Sequence, residues 1–275
     1  MILSPDSSWP FGGSAGTALI GASALAAIAY LMVALTSHEE RRARLLFMFG
    51  WLAHLVALVI DIGGVGLDHA STRFGFAPAL SATLWLVIGV YLVESRLLPL
   101  GSARRVLAVV GLSVVAVAAV FQGAEHPTVS PLAPLHWLLG LASYGLFGAA
   151  VLHALLLNRA EGQLRLKKPS GATPGMPLLA LERLTFQFVA AGVLVLSLAM
   201  VLGWWIAPEW RWDHKNLLSV LGWLVLTGLL AGRHVFGWRG RLATRWLYFG
   251  AVLLLLAYVG SRFVLEVILH RSLYS

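Results

Sequence analysis

The chain contains no cysteine, which excludes a disulfide framework, thiolate metal ligands and a thiol nucleophile within it. Charge is scarce. Asp, Glu, Lys and Arg make up 12% of the 275 residues, about half the share of a soluble domain, whereas 59% are hydrophobic. Residues 1–14 hold no Lys or Arg, so the basic n-region of a cleaved signal peptide is missing and such a peptide is not expected. There is no P-loop, no dinucleotide-binding fingerprint and no His-Glu-x-x-His pattern. No internal repeat stands out.

What is present in abundance is apolar sequence in runs long enough to cross a bilayer. Eight spans are read at about 15–36, 45–66, 76–93, 104–121, 132–157, 185–207, 215–232 and 246–269. The expected fold is therefore all-α, a polytopic membrane helical bundle of about eight transmembrane helices forming a single integral membrane domain over residues 1–275. The net charge of +8 is explained by its distribution. Arg41, Arg42 and Arg44 lie between spans 1 and 2, and Arg96, Arg104 and Arg105 between 3 and 4. Arg159, Arg165, Lys167, Lys168 and Arg183 lie between 5 and 6, and Arg233, Arg239, Arg241 and Arg245 between 7 and 8. Most of the 20 Lys and Arg thus fall on alternate loops. Positively charged loops stay in the cytoplasm, which places both termini outside. Nucleic acid is not needed to account for the charge. The stretch 158–177, with its Pro, Ser and Gly, reads as a flexible inner loop.

One outer loop is unusual. Gly203-Trp-Trp-Ile-Ala-Pro-Glu-Trp-Arg-Trp-Asp-His-Lys215 places Trp204, Trp205, Trp210 and Trp212 within nine residues, followed by Asp213, His214 and Lys215. A flat aromatic surface edged with polar groups suits a large planar ligand such as haem. An aromatic belt at the membrane interface explains the same tryptophans without any ligand.

The topology also assigns each histidine a depth. His136, His214 and His270 form an outer group, and His54, His153 and His234 an inner one, while His38, His69 and His126 fall in loops. His136 and His153 are separated by about 25 Å of helix and cannot serve one metal ion. Neutral imidazole is a common iron ligand, and ionisable residues within spans usually face protein or a cavity. His153 and His234 lie near the headgroups, where a histidine needs no special role. His54 shares a helical face with Asp61, so a structural His–Asp contact competes with ligation. In span 5, His136, Gly140, Ser143 and Tyr144 share a face, which fits either ligand approach or small-residue helix packing. In span 8, Arg262, Glu266 and His270 follow at four-residue spacing. Arg262 is suited either to pairing with Glu266 or to holding a carboxylate such as a haem propionate.

Trp210-Arg-Trp-Asp-His-Lys215 resembles the external WWD motif of the cytochrome c assembly superfamily, the CcsA, CcmC and HemX-like proteins. Ser219-Val-Leu-Gly-Trp223, Gly237-Trp-Arg-Gly-Arg241 and Leu256-Ala-Tyr-Val-Gly-Ser-Arg262 follow in the family's order. Upstream, His136 with Ser143-Tyr144 and Pro177-Leu-Leu-Ala-Leu-Glu-Arg183 also fit. The resemblance covers most of residues 132–270 and is greatest to YpjD-type proteins of the bacterial inner membrane. It implies an external haem platform. Trp210 and Trp212 would stack on the macrocycle, Asp213 and Lys215 would orient it, and Arg262 would hold a propionate. His136 and His270 take the positions of the outer axial ligands, and His54 and His234 those of an intramembrane pair. The sequence departs from the usual Trp-Asp-Pro-Lys-Glu in reading Trp212-Asp-His-Lys-Asn216. The function implied is haem handling in cytochrome c biogenesis, with haem, other maturation proteins and an apocytochrome c as partners. A scaffold or regulator of haem metabolism with a degenerate haem site is the alternative. A small-solute transporter is a third reading, for which His54 and Asp61 are the hints.

Overall fold

Apolar segments of about 20 residues satisfy all their backbone hydrogen bonds inside a bilayer only as helices. In the computed structural model, which describes residues 14–36, 40–63, 71–96, 101–127, 130–165, 178–207 and 212–268, eight helices are long and apolar enough to cross a membrane. They are α1 (Ser14–Leu35), α2 (Glu40–Ile62), α3 (Phe76–Glu94), α4 (Gly101–Val120), α5 (Ala133–Arg165), α6 (Leu178–Ile206), α7 (His214–Phe236) and a last helix that begins as α8 (Gly240–Leu255). Each of the eight expected spans falls on one of them. The expected ends are too short at the C-terminal end of α5 and the N-terminal end of α6, where the helices run on through charged sequence that hydropathy assigns to a loop.

Contacts divide the chain into two compact units, residues 1–81 with 105–127, and residues 82–104 with 128–275. In the first, α1 packs along α2. The Tyr30 ring is fully buried and lies edge-on to Phe47 at 5.6 Å. It is accommodated by two glycines, since a Cβ at Gly50 would stand 3.1 Å from the ring and one at Gly111 3.0 Å. Such small residues permit close helix approach where no hydrophobic driving force acts between helices. A feature not expected from the sequence joins the loops after α2 and α4. It is a short antiparallel ribbon of β1 (Ser71–Phe74) and β2 (Ala124–Pro127), in which Thr72 faces His126 and Arg73 faces Glu125. Its pairing puts the exits of α2 and α4 on one side, as alternating spans require.

In the second unit, α5 and α6 form the most extensively packed helix pair, and α7 packs against α8. The core is built from Phe147, Ala150, Ala154, Phe186, Val189, Leu226, Leu229, Leu247 and neighbouring apolar residues. The α7–α8 contact is reciprocal. Gly222 receives Leu254 and Gly250 receives Leu226, each leaving only 2.7 Å for an added Cβ. At its C-terminal end α7 stops at Gly237, whose φ of 66° is left-handed and whose N–H bonds to the Gly232 carbonyl. There Glu182 of α6 accepts from Arg233 at 2.7 Å and lies 3.4 Å from Arg239, while the Arg233 guanidinium sits 3.8 Å above the Phe186 ring. Glu182 and Arg239 belong to family-like sequence stretches, and here they tie α6 to the end of α7.

Beyond Leu255 the last helix changes pitch. Leu256–Gly260 and Val264–Ile268 are π-helical, separated by the single α turn Ser261–Phe263. Such a changeover weakens the carbonyl ladder, and two hydroxyls reinforce it. Tyr144 of α5 donates to the Leu254 carbonyl at 2.7 Å, and Ser261 reaches the Ala257 and Tyr258 carbonyls at 2.7 and 3.0 Å.

Candidate functional site

His136 stands in the first turn of α5, half-buried against α6. Its Nδ1 lies 2.9 Å from the Ala199 carbonyl. A carbonyl only accepts, so this bond places a proton on Nδ1 and leaves the lone pair on Nε2. The ring fits because the facing residue of α6 is Gly203. A Cβ there would stand 2.7 Å from His136 Cε1 and 3.2 Å from Nδ1. Carbonyl and glycine together fix the tautomer and the orientation of the imidazole. Among the described residues, Nε2 has no hydrogen-bond partner.

Lys215 connects this ring to a second group of residues, Tyr258, Arg262 and Glu266. Lys215 opens α7 and is within electrostatic reach of both His136 and Arg262. Its Nζ lies 5.6 Å from the centre of the Tyr258 ring, and the Arg262 guanidinium carbon lies 5.8 Å from the same centre. Two cations thus share one aromatic ring, a cation–π arrangement. Glu266 acts electrostatically on Tyr258 from the second π segment, eight residues further on. Tyr258, Arg262 and Glu266 all sit on or beside the π segments, a geometry that recurs at functional sites. The structure therefore brings together His136, Lys215 and Arg262 of the expected outer residues. It adds Tyr258 and Gly203, which sequence reasoning did not single out. The signal for Tyr258 was present in the Leu256–Arg262 stretch, but its role depends on the π pitch.

Other expected site residues have different surroundings. Asp213 is the N-cap of α7, and its Oδ1 accepts from the Asn216 N–H at 2.8 Å. Trp212 is exposed, at 70% of its surface. His214 and His234 are exposed at the two ends of α7. Trp210 and His270 lie outside the described residues. His153 of the inner group is fully buried, with Nδ1 2.7 Å from the Ala149 carbonyl and Nε2 2.8 Å from Glu94. In the first unit His54 is 1% exposed, and both of its ring nitrogens contact hydroxyls, Tyr30 at 3.1 Å and Ser81 at 2.7 Å. Among the described residues, no three His, Asp or Glu side chains cluster as a preformed metal site.

The chain was also compared with known proteins. The family described as cytochrome C assembly protein matches residues 17–269. An inner membrane protein, YpjD, of Escherichia coli K12 is 35% identical over 146 residues, covering 52% of this chain and 56% of that one. An uncharacterized 28.8 kDa protein of Azospirillum brasilense is 33% identical over 169 residues, 58% of this chain and 62% of its own. A cytochrome c biogenesis protein CcsA of Prochlorococcus marinus is 27% identical over 89 residues, 30% of this chain and 28% of that one. The matches to YpjD and the Azospirillum protein thus span little more than half of those relatives' length. No solved structure matches. With eight membrane-crossing helices and a family match over nearly its whole length, the chain is a multi-pass membrane protein that belongs to the cytochrome c assembly protein family.

Proposed function

We propose that this protein handles haem in cytochrome c biogenesis, in the bacterial inner membrane with both termini outside, and holds the porphyrin at the outer end of its second unit. The observation that carries the reading is the His136 imidazole, anchored through Nδ1 to Ala199 against Gly203 and within electrostatic reach of Lys215, which in turn reaches Arg262. A histidine whose far nitrogen is tied to a carbonyl is oriented as metal-ligating histidines are. The residues fit haem in two respects: a neutral nitrogen for iron, and two cations for propionate carboxylates, to which guanidinium geometry is well matched.

Bound haem would supply the iron and the vinyl groups that become joined to cytochrome thiols. This chain has no cysteine, so those thiols come from an apocytochrome and their reduction from partner proteins. His136 would offer Nε2 to the iron. Lys215 and Arg262 hold carboxylates, and Tyr258 positions both cations through its ring face. Trp212, exposed just before the α7 cap, offers an apolar plane. Asp213 acts on the site by capping α7, which fixes the start of the helix that carries Lys215. His270, and Trp210 with it, complete the proposed platform as second ligand and stacking group.

The test is the absorption spectrum of the purified protein after expression with ample haem. A Soret band is expected. It should be lost in His136→Ala and weakened, with its apparent affinity lowered, in Lys215→Gln and Arg262→Gln. A colourless wild-type protein overturns the haem reading and leaves the scaffold reading, in which the same fold acts without haem.

A further inference from the structure

His54 differs from His136 in one chemical respect: its two partners are hydroxyls. A hydroxyl both donates and accepts, so either tautomer of His54 is fully satisfied between Tyr30 and Ser81. The ring is therefore not locked to one proton position. Beside it lies a small cavity of about 10 Å³ whose polar lining is Ser23 of α1, His54 and Asp61 of α2, and Ser81 of α3, set among apolar side chains of α1, α2 and α4. That volume is about what one water requires. Asp61 is 3% exposed, and its Oδ1 is buried with no hydrogen-bond partner among the described residues. An orphan carboxyl oxygen within a membrane span is costly, and a water in the cavity would satisfy it.

We infer that Asp61, a cavity water, Ser81 and His54 form a proton relay between the outer end of α2 and a histidine roughly 10 Å deeper along the helix. In the forward step the Asp61 carboxyl gives its proton to the water as the water gives one to Ser81 Oγ. Ser81 passes its own hydroxyl proton to His54 Nε2. The result is an Asp61 carboxylate and a doubly protonated imidazole whose Nδ1–H is held by the Tyr30 oxygen. Only O–H and N–H bonds are exchanged, and the reverse step restores the starting state. The ionisable groups around the cavity are few. α1 contributes Tyr30 and α2 contributes His54 and Asp61. Ser81, Val115 and Ala118 of α3 and α4 do not ionise. Arg73 of the ribbon acts on Asp61 electrostatically from the outer side. A bound metal ion fits less well, because the cavity offers a single carboxylate and the neighbouring imidazole nitrogens are already bonded to hydroxyls.

The relay is tested on the full chain in lipid nanodiscs, with 15N-labelled histidine and transfer into D2O. The His54 ring signal is assigned by its absence in His54→Asn. Fast exchange of the His54 ring proton is expected in the wild type. It should be lost in Asp61→Asn and in Ser81→Ala, with the helical fold and any Soret band retained. Unchanged exchange in both variants overturns the relay. So does a sodium-dependent shift of the Asp61 carboxyl signal in the wild type, which would make the cavity a cation site. If Asp61→Asn does not fold, Ser81→Ala alone decides, because it removes one hydroxyl from the chain and leaves the carboxyl in place.

Discussion

Replacing Gly203 with alanine puts the smallest possible obstacle against the His136 ring. The new Cβ would lie 2.7 Å from Cε1, whereas carbon atoms rest at about 3.5–4.0 Å, so ring and helix must separate by roughly 1 Å. The Nδ1 to Ala199 bond, at 2.9 Å, does not survive a retreat of that size. Overpacking of this kind costs about 1–3 kcal/mol. The released hydrogen bond adds about 0.5–1.5 kcal/mol. Destabilisation alone would say nothing about function, and a matched control exists on the same helix. Gly192 faces Phe147, where an added Cβ would stand 2.6 Å from the ring, so Gly192→Ala is crowded to the same degree with no histidine involved. Both variants are expected to melt earlier than wild type by similar amounts. Only Gly203→Ala should lose haem absorption or shift its Soret maximum, because only there does the tautomer lock fail. Equal haem absorption in the two variants would refute the claim that Gly203 exists to seat the imidazole.

Two further outcomes are expected. Asp213→Ala should lower stability by about 0.5–2 kcal/mol through loss of the α7 cap, while Asp213→Asn, which still caps, should melt like wild type; both are read from thermal unfolding. Because the chain has no cysteine, a single introduced thiol reports topology directly. In right-side-out vesicles an impermeant maleimide should label Ser275→Cys and spare Lys168→Cys, and the opposite pattern would refute the positive-inside assignment.

The helices were legible because membrane spans are written in composition: an apolar run of sufficient length has no alternative to helix inside lipid. Their charged ends were not. Glu182 and Arg233 look like loop charges until α6 and α7 are brought together, when they become an ion pair that lets helix continue past the apolar stretch. Of the candidate site, His136, Lys215 and Arg262 could be read from motif order, and the structure puts Lys215 within electrostatic reach of each of the other two. Asp213 looked like a ligand-orienting group, yet local chemistry makes it a helix cap, a use that Asp before an apolar run always has open to it. The roles of Gly203 and Tyr258 depend on which helices touch and on π pitch, neither of which periodicity encodes. The shared face of His54 and Asp61 was readable from their seven-residue spacing. The two hydroxyls that hold His54 come from other helices and were not.

The two π segments make the C-terminal part of the last helix a matter of residue count as well as residue type. Restoring the ordinary pitch over Leu256–Gly260 with its residue count unchanged would turn everything beyond it through about 90°, because a π segment winds roughly 80° per residue against about 100° in an α-helix. Arg262 would swing away from the Tyr258 ring although its own side chain and those around it were unchanged. Scanning substitutions along this stretch would leave such dependence undetected, whereas single-residue deletions and insertions would expose it at once.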